Sequence, residues 1–282
     1  MIAVDGIILV LSCQKHLHTR IKHLKLPKTE YAGWKVIYVI GDLFLDCDYR
    51  FIDDFMIVKC EDSYIHLLKK LVLSLKYLYE TFDIKEGVLR AGDDLIFNEK
   101  LLTAFLKSPK TRVISESGDG DGARGSIVPI DFVGRSPACK SLLSHEISDK
   151  DIKVTIRDTF MTEYYAVHPE DFDNPHHNLK GVDISKYMRR PHIPVGVCGI
   201  LFYLSNKAAA ILIDHLNRIN YDIFHYDKNT DSYPYAIEDC AVSFILYSNK
   251  ISFIHREDMY DEYYRNQSCE NVIATHTNLS KY

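Results

Sequence analysis

The sequence predicts an α/β fold built on a mostly parallel central sheet flanked by helices. Three observations carry this expectation. Continuous apolar runs of strand length occur at Ile7 to Leu11 and Lys35 to Gly41. A longer segment from Asp62 has apolar residues recurring at three- and four-residue steps. Strands and helices of these kinds then alternate along the chain. Open sheets of this class bind ligands outside the carboxyl ends of their strands, so polar residues at those ends are the first candidates for a site.

Ile7 to Ser12 is an apolar run ending in polar residues, as an inner parallel strand opening on a site would be. The basic segment Lys15 to Lys25 follows and predicts a helix, with Leu17, Ile21 and Leu24 on one side and Pro27 as its stop. Lys35 to Gly41 and Phe55 to Lys59 read as two further strands. From Asp62 or Ser63, either of which can cap, Leu68, Leu71, Leu75, Leu78 and Phe82 mark a helix running to about Tyr79. Gly87 to Asn98 is a strand broken by the polar pair Asp93-Asp94, with a helix beginning near Asn98.

The middle of the chain is less regular. Residues Ser117 to Gly125 form a glycine-rich loop, and Asp171 to Arg190 reads as a second long loop, the kind that serves as a lid or binding surface. Val197 to Ser205 returns to strand character, Ala208 to Asn220 and Ile237 to Tyr247 read as helices, and Ile251 to His255 closes the sheet. The chain after Tyr260 is polar.

The composition sets bounds. With 282 residues, 46% hydrophobic and 26% charged, the chain is globular rather than disordered. A net charge of −5 with interspersed lysines and acids argues against nucleic acid as the main partner. The seven cysteines are scattered and contain no CxxC pair, so they are expected to be reduced thiols, mostly buried. No stretch reaches the roughly 18 apolar residues of a membrane span.

Asp93 and Asp94 place two carboxylates at the end of an apolar strand, where a hard divalent cation bound to phosphate oxygens would sit; Asp is also common in turns and caps. Glu238 and Asp239 begin a predicted helix. The helix dipole favours acids there, but the position also suits a general base. His255, ending a late strand, offers a nitrogen to a cation. Asp119-Gly-Asp121 is a competing acidic pair in the glycine-rich stretch, without a flanking apolar strand or the later acidic ligand of a calcium loop. Trp34, Tyr164, Tyr165, His176 and His177 have the chemistry to stack on sugars, but such residues are more often core and receive no role.

These elements resemble, in register, the β-1,3-glycosyltransferase family that includes the β-1,3-galactosyltransferases and Fringe-type N-acetylglucosaminyltransferases. FMIVKCEDSYIHLLKK (55 to 70) is similar to the family's strand and Asp-x-Tyr-x-Asn-Leu-x-x-Lys helix, with Asp62, Tyr64, Leu67 and Lys70 in place and His66 where Asn is usual. VLRAGDDLIFN (88 to 98) resembles the basic residue and triple-Asp strand. Cys198 to Ser205 resembles the glycine-containing strand through Gly199, Glu238 to Val242 the acidic pair, and Phe253 to Glu257 the strand with the late histidine.

The resemblance implies a single GT-A type domain over 1–265, with a Rossmann-like nucleotide-sugar-binding half (1–100) and an acceptor and catalytic half (101–265), followed by a polar tail (266–282). It implies an inverting, metal-dependent transferase moving galactose, N-acetylglucosamine or xylose from a UDP-sugar to an oligosaccharide or glycoprotein hydroxyl. Asp94 and His255 would hold Mn2+ or Mg2+, and Asp239 would be the base. Ser12, Arg90 and Asp93 would face the donor, with Glu238 and Gly199 toward the acceptor or its loop.

Gly92 stands at the first triad position and Leu201 replaces the second glycine of the late strand, departures that bear on donor choice. The anchor of Golgi members is missing from this sequence. The expectation is therefore a soluble viral or bacterial form in the cytoplasm, the host's if viral, and the Golgi lumen only if an anchor has been removed. Competing readings are a retaining transferase, a nucleotidyltransferase, and a catalytically inactive carbohydrate-binding protein of the same fold.

Overall fold

The computed structural model describes residues 1–115, 125–218, 221–262 and 269–277. Most of the glycine-rich loop, with Asp119 and Asp121, lies outside the described residues. The first apolar run is β1 (Ile2–Leu11). Its alternation sends Ile7, Leu9 and Leu11 into one core and Ile8 and Val10 into another. All five are at most 4% exposed, so the run is apolar throughout instead of every second residue.

In chain order there follow α1 (Arg20–Leu24), β2 (Glu30–Tyr31), β3 (Trp34–Gly41), β4 (Tyr49–Ile52), β5 (Phe55–Val58), α2 (Leu67–Thr81) and β6 (Phe82–Gly92). Next come β7 (Leu95–Phe97), α3 (Glu99–Lys107), β8 (Thr111–Ser115), β9 (Gly125–Pro129), β10 (Phe132–Gly134), β11 (Thr155–Arg157), α4 (Phe160–Val167) and β12 (Arg189–Pro191). The chain continues through β13 (Leu201–Ser205), α5 (Asn206–Arg218), α6 (Glu238–Ser248), β14 (Phe253–His255), β15 (Tyr260–Glu262) and β16 (Ala274–His276).

The result is a mixed α/β structure with a large central sheet flanked by helices. Nine strands form that sheet in the order β14-β10-β13-β6-β1-β3-β5-β4, with β2 beside β3. β6, β1, β3 and β5 are parallel, as are β10 and β14, while β13 is antiparallel to both of its neighbours. On one face, leucines 68, 71, 75 and 78 of α2 join Ala208 and Leu212 of α5 and Val242 and Ile245 of α6. On the other, Leu102, Phe105 and Leu106 of α3 pack with Ile21 and Met259. No helix among the described residues is long and apolar enough to cross a membrane.

The structure departs from the sequence reading in four places. Lys15 to Lys25 is not one helix but a 3-10 turn (Gln14–His16) followed by the five-residue α1. The segment has no acidic first turn and no side-chain cap, and the side chains of His16 and Arg20 turn instead to Asp93. Asp62 does not cap α2; its carboxylate accepts from Gln14 N, Gly41 N and Lys70 Nζ, tying together the ends of β1 and β3. A helix, α4, stands just before the expected Asp171 to Arg190 loop, in a stretch to which the sequence reading gives no element. Finally, the polar tail is not an appendage, because β16 inserts between β15 and β7 and buries Ile273 and Ala274.

Register decides what the sheet brings to its carboxyl edge. Leu11 pairs with Gly92, so Ser12 and Asp93 leave adjacent strands side by side. Leu201 pairs with Ala91, and because β13 runs the opposite way it enters the sheet at that same edge, bringing Gly199 to it. His276 pairs with Leu95, which sets a histidine beside Asp94.

Candidate functional site

A cleft of about 660 Å³ opens along this edge, within the usual size of a small-molecule site. At its centre Asp93, 9% exposed, accepts from Ser12 Oγ (2.6 Å), His16 Nδ1 (2.7 Å) and Arg20 NH1 (2.9 Å). Burial alone pushes this carboxyl up. The His16 hydrogen bond and charge, with Arg20 and Ser12, outweigh it and hold the pKa at about 2.

Asp94 is less enclosed. Its Oδ2 lies 3.3 Å from His276 Nε2 and 3.6 Å from Arg20 NH1. Thr277 donates its backbone N–H and its hydroxyl to the Asp94 carbonyl, both at 2.9 Å, which fixes the C-terminal strand against this residue. The contact with Asp94 is the main influence raising the His276 pKa. Gly92 has a local reason: a Cβ there would sit 2.7 Å from Asp94 Oδ1, so any side chain would force that carboxylate to turn.

The opposite wall is the start of α6. Asp239 Oδ2 accepts from Gly199 N at 3.0 Å and Oδ1 from Cys240 N at 2.7 Å, so two backbone donors orient the carboxylate at a helix N-terminus. Its neighbour Glu238 is 4% exposed and bound in two places to Arg90, at 3.0 and 3.2 Å. Arg90 also donates to the Gly199 carbonyl. Burial raises the Glu238 carboxyl to about 7 against the pull of Arg90. A Cβ on Gly199 would lie 3.1 Å from Glu238 Oε2 and 3.2 Å from Asp239 Cβ, so a glycine suits this crossing.

Of the residues singled out in the sequence, Ser12, Asp93, Asp94, Glu238, Asp239, Gly199 and Arg90 all line this one cleft. Two of the expected residues sit in a different arrangement from the one the resemblance implies. The guanidinium of Arg90 is committed to Glu238 and the loop carbonyls instead of standing free for a diphosphate, because a cation 3% exposed must be paired where it is buried. Arg20 is the guanidinium that lies over the two aspartates.

His255 does not line the cleft. Its Nδ1 accepts the Ser136 backbone N–H at 3.0 Å, so in the neutral ring the proton sits on Nε2. Nε2 is buried and without a hydrogen-bond partner among the described residues, within 4.8 Å of ligand atoms of Cys139 and Glu257. A histidine that ligates through one nitrogen normally donates from the other, the reverse of what is found here.

His276, His16 and Arg20 were missed. His276 had only a faint signal, the apolar pair Ile273-Ala274 just before it in an otherwise polar tail. His16 and Arg20 stood in the basic segment, but nothing local linked them to an acid more than seventy residues away.

No protein-family profile matches the chain. No curated protein matches it at a significant level. Among solved structures, the crystal structure of mouse xyloside xylosyltransferase 1 in its apo form is similar across 100% of both chains, with a TM-score of 0.35 and 8% sequence identity. A likeness of that extent establishes neither family nor activity.

Proposed function

We propose that the chain is a glycosyltransferase of GT-A type that moves a sugar from a UDP-sugar to a glycan hydroxyl with the help of a divalent cation, inverting the anomeric centre. The observation that carries this reading is the meeting of Asp94 Oδ2 and His276 Nε2 at 3.3 Å, across one cleft from Asp239.

The donor set suits Mn2+ or Mg2+. Ligand atoms at neighbouring positions of one shell, each about 2.1 Å from the ion, stand about 3 Å apart. A carboxylate oxygen and an imidazole nitrogen already in contact meet that condition. When bound, the cation would neutralise charge on the leaving diphosphate. Asp94 and His276 would hold it.

The other residues have separate tasks. Asp93, saturated by Ser12, His16 and Arg20, holds Arg20 toward the phosphates. Asp239, kept in one orientation by the Gly199 and Cys240 amides, takes the proton as the acceptor hydroxyl attacks. The buried Arg90–Glu238 pair fixes the Gly199 carbonyl and so supports the base from behind. A single displacement on this plan inverts the configuration.

The test is calorimetric titration of UDP with and without Mn2+, followed by donor hydrolysis and transfer across UDP-galactose, UDP-N-acetylglucosamine, UDP-xylose and UDP-glucose. Asp239→Asn should lower turnover by about 100- to 10,000-fold while metal-dependent UDP binding persists. Normal turnover in that variant removes Asp239 from the role. Product anomericity by NMR decides the stereochemistry, and a retained configuration would set aside the single-displacement plan.

A further inference from the structure

Helix α4 rests on a third core of its own. Met161 and Tyr165 pack inward with Ile65, Ile184 and Tyr187. Phe160 and Tyr164, spaced by four residues, share a second face of the helix, and His168 follows as its C-cap. This second face is only partly covered: Tyr164 packs against the same core but also lines the cleft, and Phe160 is 41% exposed.

Those rings form a strip. Tyr164 stacks on Tyr64 at 4.6 Å between centroids and 26° between planes, Phe160 lies 6.4 Å from Tyr164 at 27°, and the His168 ring is 4.6 Å from Tyr164. Tyr64, from the 3-10 turn before α2, also lines the cleft, as does Asp239. Among the described residues neither tyrosine hydroxyl has a hydrogen-bond partner. Burial, then the nearby carboxylates of Asp239 and Glu238, raise the Tyr64 phenol.

We propose that the Phe160–Tyr164–Tyr64 strip is the shelf on which the acceptor saccharide lies, with the C–H face of a pyranose ring against the part-exposed rim of these stacked rings and a hydroxyl edge toward Asp239. This rests on the glycosyl-transfer reading of the same cleft. A pyranose has an apolar face and a polar rim. A part-exposed aromatic strip with free hydroxyls, continuous with a carboxylate-lined cleft, matches both. Lys15 and Asp171, paired at 3.2 Å, and Arg190, paired with Asp158 at 2.7 Å, also line the cleft and bring polar atoms within it for the rim.

The experiment has two arms on the full chain. One measures UDP affinity with Mn2+ by calorimetry. The other measures binding to an array of immobilised galactosides, glucosides, xylosides and N-acetylglucosaminides in the presence of UDP and Mn2+. Tyr164→Ala should lower the glycan signal about tenfold and Phe160→Ala about threefold, with Tyr164→Phe close to the parent and UDP affinity held within about twofold throughout. Phe160 is exposed, so its variant keeps the test alive if Tyr164→Ala does not fold.

The shelf is overturned if the parent binds UDP but no glycan, or if the alanine variants keep the full glycan signal. It is also overturned if Tyr164→Ala weakens UDP about tenfold, which would make the strip a nucleobase stack. A parent that fails to bind UDP while the glycan arm behaves as expected overturns the transfer reading and supports the saccharide shelf.

Discussion

His255 closes β14 and His276 closes β16, each as the last residue of a three-residue strand. They nevertheless do opposite things with their rings. His255 turns Nδ1 back to a backbone N–H of its own scaffold and does not line the cleft. His276 turns Nε2 to Asp94 at the mouth of the cleft. A histidine at the end of a strand is therefore not a ligand by position alone; the strand it pairs with decides whether its ring reaches the cleft.

The largest expected effect breaks this comparison outright. His276→Ala or Asp94→Ala should weaken Mn2+-dependent UDP binding by more than about 100-fold, since loss of even an outer partner of a metal ligand costs roughly 10- to 100-fold. His255→Ala should change it by less than about threefold. Calorimetry of the three variants reads both. A strong loss in His255→Ala with binding intact in His276→Ala would reverse the assignment.

The next effect is on stability and runs the other way. His255→Ala leaves the Ser136 N–H without its acceptor and should cost about 1–3 kcal/mol in denaturant unfolding. His276→Ala, half-buried at the cleft, should cost less than that. Equal losses would mean that His276 is also a scaffold residue.

Asp93 sharpens the contrast by pH. Its folded pKa is depressed from 3.8 to about 2, so its contribution to stability is fully present above pH 3.8 and is lost as pH falls through 2. The amount is about 2 kcal/mol, at 1.36 kcal/mol per unit. Asp93→Asn should lack this acid dependence in unfolding experiments between pH 4 and 2; an unchanged slope would deny the His16–Arg20–Ser12 arrangement.

The smallest effect is expected from Gly92→Ala. Its Cβ would turn the Asp94 carboxylate, so Mn2+-dependent UDP affinity should fall by about tenfold, while apo stability changes little. Unchanged affinity would mean that Asp94 has room to move without losing its contact.

Much of this was legible beforehand. The β1, β3 and α2 segments were readable because burial on both faces of a parallel sheet leaves an unbroken apolar run, and a helix against that sheet leaves its own period. Asp93, Asp94 and Asp239 were legible for the same reason, as polar residues directly after or before such elements. The C-terminal strand was not, since β16 is three residues long in a polar context and has meaning only through its pairing with β7. Nor was the internal partner of Arg90, which lies 148 residues away.

The sequence by itself determined the alternation of strands and helices and the acidic residues at their ends, because these follow from local periodicity and from where apolar runs stop. Only the tertiary structure decided which histidine meets Asp94, which arginine lies beside the two strand-end aspartates, and which face of α4 lines the cleft. Those outcomes depend on register between distant strands, on the proton held by a ring nitrogen, and on pairing of buried charge, none of which local pattern encodes.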